Sequence, residues 1–226
     1  MVLGSSPSRG AIFRKSLMHK SAMNHARLFF ETYVTGDNLN IVEVGSQDVQ
    51  GSIRSLKPAT ATYTGYDYVA GAGVDRVISH AYKLPIDDDS VDVMISSSCY
   101  EHSGMFWMNF IEAMRVLKPS GVYYMQAPSN GEFHRWPVDC WRFYPDAGHS
   151  LATWGKASGY ERCELLESFV GDKDDDIWND FVSVFIKDSN YLNQYPSRII
   201  DKITAYTNGI KYNHPEILKL DWWKNK

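Results

Sequence analysis

Apolar and polar positions alternate along this chain in a way that predicts strands separated by helices. Asn-Ile-Val-Glu-Val-Gly-Ser at 40–46 is apolar and β-branched, as a buried strand should be. TATYTGYDY at 60–68 reads as a second strand, VDRVIS at 74–79 as a third, VDVMISSSC at 91–99 as a fourth and GVYYMQAP at 121–128 as a fifth. Between the last two, Phe106, Phe110, Met114 and Leu117 fall on one face of a helix, which Pro119 and Gly121 should stop. A short crossover helix is expected in DVQGSIRSLKP at 48–58, and another helix from Pro145-Asp146 to Gly159. CELLESFV and DFVSVFIKD, at 163–170 and 180–188, read as late strands, antiparallel at a sheet edge, joined by the acidic turn GDKDDDIWND. SRIIDKITAYTNGI at 197–210 reads as one amphipathic helix.

Strands alternating with helices imply a mostly parallel sheet covered on both faces. The expected organisation is one α/β domain over 1–226: an N-terminal helical segment at 1–39, a core at 40–188 and a C-terminal helical extension at 189–226.

Composition narrows the function classes. A formal charge of -4 offers no basic surface for nucleic acid or an anionic membrane. No apolar run approaches the ~20 residues of a membrane span. Three widely spaced cysteines, Cys99, Cys140 and Cys163, follow no disulfide or zinc pattern and suggest reduced thiols in a cytoplasmic setting. The first thirty residues carry Arg9, Arg14, Lys15, Lys20 and Arg27 and no acid. A transit peptide has that composition. A helix packing Ile12, Phe13 and Leu17 onto the domain is the favoured reading, since no cleavage signal is evident.

The candidate chemistry sits at strand ends, because open parallel sheets bind ligands beyond the carboxyl ends of their strands. Glu43 and Gly45 occupy such an end: the glycine lets backbone approach a ligand, and the acid can meet a cationic group. Asp67 ends the second strand, where a carboxylate can accept both hydroxyls of a ribose. The loop Gly45-Ser-Gln-Asp-Val-Gln-Gly51 is not the G-x-G-x-x-G of a dinucleotide site, and its acid would repel a diphosphate. A ribose, a cationic amino-acid group and no phosphate describe S-adenosylmethionine.

VEVGS, YTGYDY, SHAYKLPIDDDSVDVMISSSCYEH and LKPSGVYYMQAP, in that order between about Asn40 and Asp188, resemble the motifs of the class I S-adenosylmethionine-dependent methyltransferases, in the small type 11 style. The resemblance implies a Rossmann-like methyltransferase fold with a seven-stranded sheet and an antiparallel edge strand. It implies a transferase acting on a small-molecule acceptor, with Glu43, Gly45, Ser46, Gly51, Asp67, Tyr68, His80, Ala81, Tyr82 and Ser97 around S-adenosylmethionine. Gln47 and Val49 stand where the family has its second and third glycines, and His80-Ala81 replaces a frequent Asp-Ala.

Residues 127–151 form an unusual loop after the fifth strand, with His134, Arg135, Trp136, Asp139, Trp141, Arg142, Phe143 and Tyr144 close together. Aromatic faces stack on sugars while Arg and His read oxygens, so Trp136, Asp139, Arg142 and Tyr144 are the expected substrate contacts. Packing of the loop by an Arg-Trp-Tyr cluster is the competing reading. WRFYP at 141–145 resembles a segment of methyltransferases found with glycan and surface-polysaccharide biosynthesis. That makes a sugar or glycan precursor the suggested acceptor and O-methylation the favoured reaction. His134 is the first candidate general base and His102 the second. Glu101-His102 resembles a pair common in the family, for which a site-shaping role is favoured. No metal site is expected: Asp87, Asp88 and Asp89 read as a solvated turn whose carboxylates point apart. A homodimer is compatible with this reading. Two rival functions stay open, a non-catalytic partner protein that keeps the fold and a nicotinamide-dependent oxidoreductase.

Overall fold

The structure is a computed structural model that describes residues 20–49, 51–80, 82–173 and 177–221. The expected packing of Ile12, Phe13 and Leu17 lies outside those residues. Eight strands form one sheet: β1 (Asn40–Val44), β2 (Thr62–Asp67), β3 (Arg76–Val77), β4 (Val91–Ser97), β5 (Leu117–Pro128), β6 (Glu164–Gly171), β7 (Asp180–Ile186) and β8 (Tyr206–Lys211). Their spatial order is β3-β2-β1-β4-β5-β7-β6-β8. The first five run parallel; β7 is antiparallel to β5, and β6 and β8 continue the antiparallel edge.

Side-chain alternation along the central strands builds two cores. On one face Ile41, Val93, Ile95, Val122, Tyr124, Val182 and Val184 pack with Phe29, Phe30 and Tyr33 of helix α1 (Lys20–Tyr33). On the other, Val42, Met94, Tyr123, Met125 and Phe185 pack with Phe110, Ala113 and Met114 of α2 (Phe106–Val116) and Leu151 and Ala152 of α3 (Asp146–Ala157). Helices thus cover both faces, as expected of the parallel part.

Four expectations are corrected. The sheet has eight strands where seven were expected, β8 being added beyond β6 at the antiparallel edge. The crossover between β1 and β2 holds only a short 3-10 turn, Ile53–Leu56, capped by Ser52. Leu117, expected to finish the α2 face, begins β5. The amphipathic helix expected at 197–210, and with it the helical C-terminal extension, is replaced by a short turn at Ile199–Asp201 and by strand β8; Ser189–Gln194 is also only a 3-10 turn. Asn208 at φ +53 and the following Gly209 make a kink that suits a β-bulge and interrupts a helix. The pairing of β6 with β8 shifts register there, between Ser168 and Val170.

A buried acid anchors this edge. Glu167 is fully enclosed, and its carboxylate accepts hydrogen bonds from Ile199 N–H (2.8 Å), Ile200 N–H (2.9 Å) and the Tyr33 hydroxyl (2.5 Å). It joins α1, β6 and the C-terminal turn. Glu167→Ala should therefore leave two amides and a phenol unpaired in the interior. The expected loss is about 3 kcal/mol or more, at 1–3 kcal/mol per unsatisfied group. Urea unfolding followed by circular dichroism would reveal it, and an unchanged midpoint would show that the anchor is dispensable.

Candidate functional site

The carboxyl ends of β1, β2, β4 and β5 gather the expected site residues. After Val44 the chain turns at Gly45, whose φ is +78. The amides of Gly45 and Ser46 donate to Tyr66 O of β2 at 2.9 and 3.2 Å. A Cβ at position 45 would lie 2.5 Å from both Cβ and Sγ of Cys99. Glycine is required here twice over, by backbone angle and by space.

The two glycines absent from this loop have counterparts across the cleft. A Cβ at Gly71 would lie 2.7 Å from Gln47 Nε2, and one at Gly73, where φ is +81, would lie 2.5 Å from Ser46 O. Asp48 N–H donates to Ala72 O at 2.8 Å. Ala70-Gly71-Ala72-Gly73 therefore makes the room that lets Gln47 and the Ser46–Asp48 backbone stand in the first loop. Sequence reasoning missed this compensation; the signal was two glycines shortly after Asp67. Gly51 donates to Asp48 Oδ1 at 2.7 Å and leads into the capped turn at 53–56.

The two acids face this loop. Glu43 is buried, and the Tyr63 hydroxyl donates to its Oε2 at 2.9 Å. Burial is the main reason its carboxyl is pushed up to about 7, with Asp67 and Asp48 adding to the rise while Tyr63 and Arg54 oppose it. Asp67 accepts Gln47 N–H at 3.1 Å on one oxygen and Tyr68 N–H at 2.6 Å on the other. Val69 N–H also reaches Oδ1 at 3.4 Å, so Oδ2, with one donor among the described residues, is the oxygen that keeps room for a ligand hydroxyl. Tyr68 is half exposed, and its phenol is raised to about 12, first by burial and then by Tyr82, Cys99 and Asp67. His80 accepts Tyr82 N–H at 3.2 Å, which places both residues together after β3. Ala81 lies outside the described residues. The Ser97 hydroxyl is turned inward to Gln126 Oε1 at 3.4 Å, whereas Ser46 Oγ is buried with no hydrogen-bond partner among the described residues.

Beyond β4, Ser98 at φ +49 swings the chain into the short turn Tyr100–His102. The loop after β5 is tied to that turn. Glu101 O accepts Cys140 N–H (2.7 Å) and Trp141 N–H (3.2 Å), Trp141 Nε1 donates to Ser103 O (2.8 Å), and His102 Nδ1 bonds Val138 O. His134 N–H donates to Asp139 Oδ2 at 2.7 Å, and its Nδ1 lies 3.2 Å from Glu132 O. The His102 and His134 rings meet edge to face, 5.0 Å apart. Burial lowers the His102 pKa.

Asp139 and Arg142, expected to touch substrate, are engaged with the loop itself. Arg142 donates to both Asp139 oxygens at 2.6 and 2.9 Å and to Glu132 O at 2.7 Å, and that pairing holds Asp139 down at about 2. For these two residues the packing reading describes the structure, and their visible effect is to fix His134. Trp136 and Tyr144 are 54% and 66% exposed, free to meet an acceptor.

Cys99 has its thiol raised by burial, which disfavours a nucleophilic thiolate. In the acidic turn, Asp88 pairs with Arg115 and Asp89 with Lys187, so these carboxylates diverge as expected. A different constellation does converge: Glu101, His102 and His134 each bring one ligand atom, all within 4.8 Å of one another. Glu101 is deeply buried, and burial pushes its carboxyl up to about 8.

Residues 46–125 match a family described as a methyltransferase domain. A phthiotriol/phenolphthiotriol dimycocerosates methyltransferase of Mycobacterium tuberculosis is 37% identical, over 38% of this chain and 36% of that protein. The chain thus spans little more than a third of the curated relatives it matches. Among solved structures, the Burkholderia thailandensis 1,6-didemethyltoxoflavin N1-methyltransferase, bound to its substrate and S-adenosylhomocysteine, superposes with a TM-score of 0.56 at 13% identity, covering 74% of this chain and 79% of that one. The [4+2]-cyclase SpnF superposes at 0.54 with 15% identity, over 79% and 88%. At such identities the likeness establishes the fold, and the cyclase illustrates that a fold leaves its chemistry open. No helix among the described residues is long and apolar enough to cross a membrane.

Two outcomes follow from this geometry. Gly45→Ala should cost about 1–3 kcal/mol from the left-handed backbone alone, with the Cys99 contact adding to it; a thermal melt no lower than wild type would show that the loop has another resting path. Glu43 sits in the folded protein above its ordinary value of 4.5. The folded state therefore holds that proton more tightly than the unfolded chain does. The stability Glu43 contributes is full below about 4.5 and is lost as pH rises through about 7. Glu43→Gln should flatten this part of the pH–stability curve, read by thermal melts between those limits.

Proposed function

We propose that this chain, whose residues 46–125 match a methyltransferase domain and whose fold superposes on methyltransferases, methylates an oxygen of a small-molecule acceptor with S-adenosylmethionine as donor. The observation that carries this reading is the pair of carboxylates, Glu43 and Asp67, on adjacent strand tips around the positive-φ turn at Gly45. Their surroundings suit a phosphate-free nucleoside. The loop from 45 to 51 offers Asp48 and no cation. The buried, unpaired Ser46 Oγ is a further polar group for a ligand to satisfy.

In this reading Glu43 faces the cationic amino-acid end of the donor and Asp67 accepts the ribose hydroxyls. Ser46 and Gly51 belong to the loop beside the amino-acid end. Tyr68, His80, Ala81 and Tyr82 are assigned to the base, and Ser97 backs the site from β4. S-adenosylmethionine supplies, when bound, an electrophilic methyl carbon on sulfur. The chain supplies orientation, which in well-aligned systems removes about 7–11 kcal/mol from a barrier. His134 takes the acceptor's hydroxyl proton, with its backbone held by Asp139. His102, kept neutral by burial, is the second candidate. Trp136 and Tyr144 offer faces on which a sugar or glycan precursor could stack.

Calorimetry with Asp67→Ala should show tight S-adenosylmethionine binding abolished, and unchanged affinity would remove Asp67 from the site. His134→Ala should slow turnover by about 10²–10⁴-fold, the usual worth of a general base, while cofactor affinity stays near wild type; full activity would reject His134 as the base. Thermal stabilisation by NAD, with none from S-adenosylmethionine, would favour an oxidoreductase instead.

A further inference from the structure

We propose that Glu101, His102 and His134 form a binding site for one divalent first-row transition-metal ion. The three ligand atoms already lie within 4.8 Å of one another, with His102 Nε2 3.7 Å from Glu101 Oε1. That separation is too long for a hydrogen bond. The carboxylate is enclosed, and its Oε2 has no hydrogen-bond partner among the described residues. A buried carboxylate with an unmatched oxygen, beside two imidazoles, lacks a cation rather than a contact.

The rings are held as ligands are held. His102 Nδ1 bonds Val138 O, and His134 Nδ1 lies 3.2 Å from Glu132 O and 3.5 Å from Asp139 Oδ2. Metal-binding histidines commonly donate one ring N–H to a carbonyl or carboxylate, which leaves the other nitrogen's lone pair for the ion. Arg142 Nη2 also lies 3.4 Å from His134 Nδ1, but its guanidinium donates at shorter range to both Asp139 oxygens and to Glu132 O, so its charge is balanced and Nδ1 keeps Glu132 O as acceptor.

Ligand type selects the class of ion. Two imidazoles and one carboxylate suit zinc, manganese, iron(II) or cobalt, while magnesium and calcium prefer all-oxygen sets. Bonds of about 2.0–2.2 Å place neighbouring ligand atoms roughly 3.0–3.5 Å apart. The present spacing closes to that with side-chain movements of about 1 Å. His134, on the loop and 39% exposed at its side chain, is the ligand freest to make them. The exposed side of the cluster leaves coordination positions open. The site's existence is independent of the methyl-transfer reading; its use rests on that reading, and with the ion bound His134 and His102 act as ligands instead of bases, the ion itself holding the acceptor oxygen and favouring loss of its proton.

The test uses tag-free, full-length protein stripped with chelator and titrated with cobalt(II) chloride. One equivalent should bind and produce the visible d–d absorption of a protein-ligated ion, and zinc chloride should displace it. His134→Ala and Glu101→Gln should each weaken binding by about 100-fold or more, while His214→Ala, at a distant exposed histidine, should bind as wild type. Should Glu101→Gln fail to fold, the loop variant His134→Ala decides alone. Absence of the absorption in wild type, or cobalt affinity unchanged in His134→Ala, would overturn the site. Calorimetry of S-adenosylmethionine on the metal-free protein, run in parallel, keeps a failure of the methyl-transfer reading distinct from a failure of the ion site.

Discussion

The contact between Gly45 and Cys99 is the constraint around which this molecule's chemistry is arranged. Strand β1 lies between β2 and β4, and its tip must pass close to both. The Gly45 and Ser46 amides are bonded to β2 through Tyr66, while the bare Cα of Gly45 leaves room for Cys99 after β4. With any side chain at 45 the two strand ends would separate. That would part Glu43 and Asp67 on one side from Glu101 and His102 on the other. The two sides of the cleft are joined through one glycine.

The parallel half of the fold was legible because its signals are local. Near-continuous apolar runs in 40–44, 91–97 and 121–128 report strands buried on both faces, and the two cores bear this out. The C-terminal edge was not legible for a physical reason. Ile199, Ile200, Tyr206 and Ile210 are spaced so that a helix could present them together, and the competing turn is decided by Glu167, 32 residues before Ile199, which receives the amides of Ile199 and Ile200. A long-range hydrogen bond of that kind leaves no periodicity to read.

Within the site, strand-tip acids were legible because position on a parallel sheet confers proximity. The accommodation of Gln47 by Gly71, and of the Ser46–Asp48 backbone by Gly73, was not, since it depends on how two loops pass each other. The polar-aromatic loop was legible as special and misread in part. Its most chemical-looking pair, Asp139 and Arg142, satisfies itself, and the residues it holds in place have the freedom to act. A strongly paired carboxylate held at about 2 has little interaction left to offer a ligand. The buried and poorly matched Glu101 stands in the opposite condition.

Electrostatics links these observations. The tip of β1 gathers Glu43, Asp48 and Asp67, and the nearby Arg54 is itself engaged by Asp75 and by Tyr63 O. Like charges so close raise the cost of ionising the buried member, Glu43, and the same field lowers the cost of admitting a cation. The turn after β4 repeats the arrangement, with Glu101 behind two imidazoles and with Asp139 neutralised separately. An enclosed acid is costly to an empty fold. Each half of this cleft keeps one, and each becomes favourable when positive charge arrives: a cationic ligand group at Glu43, and a metal ion at Glu101.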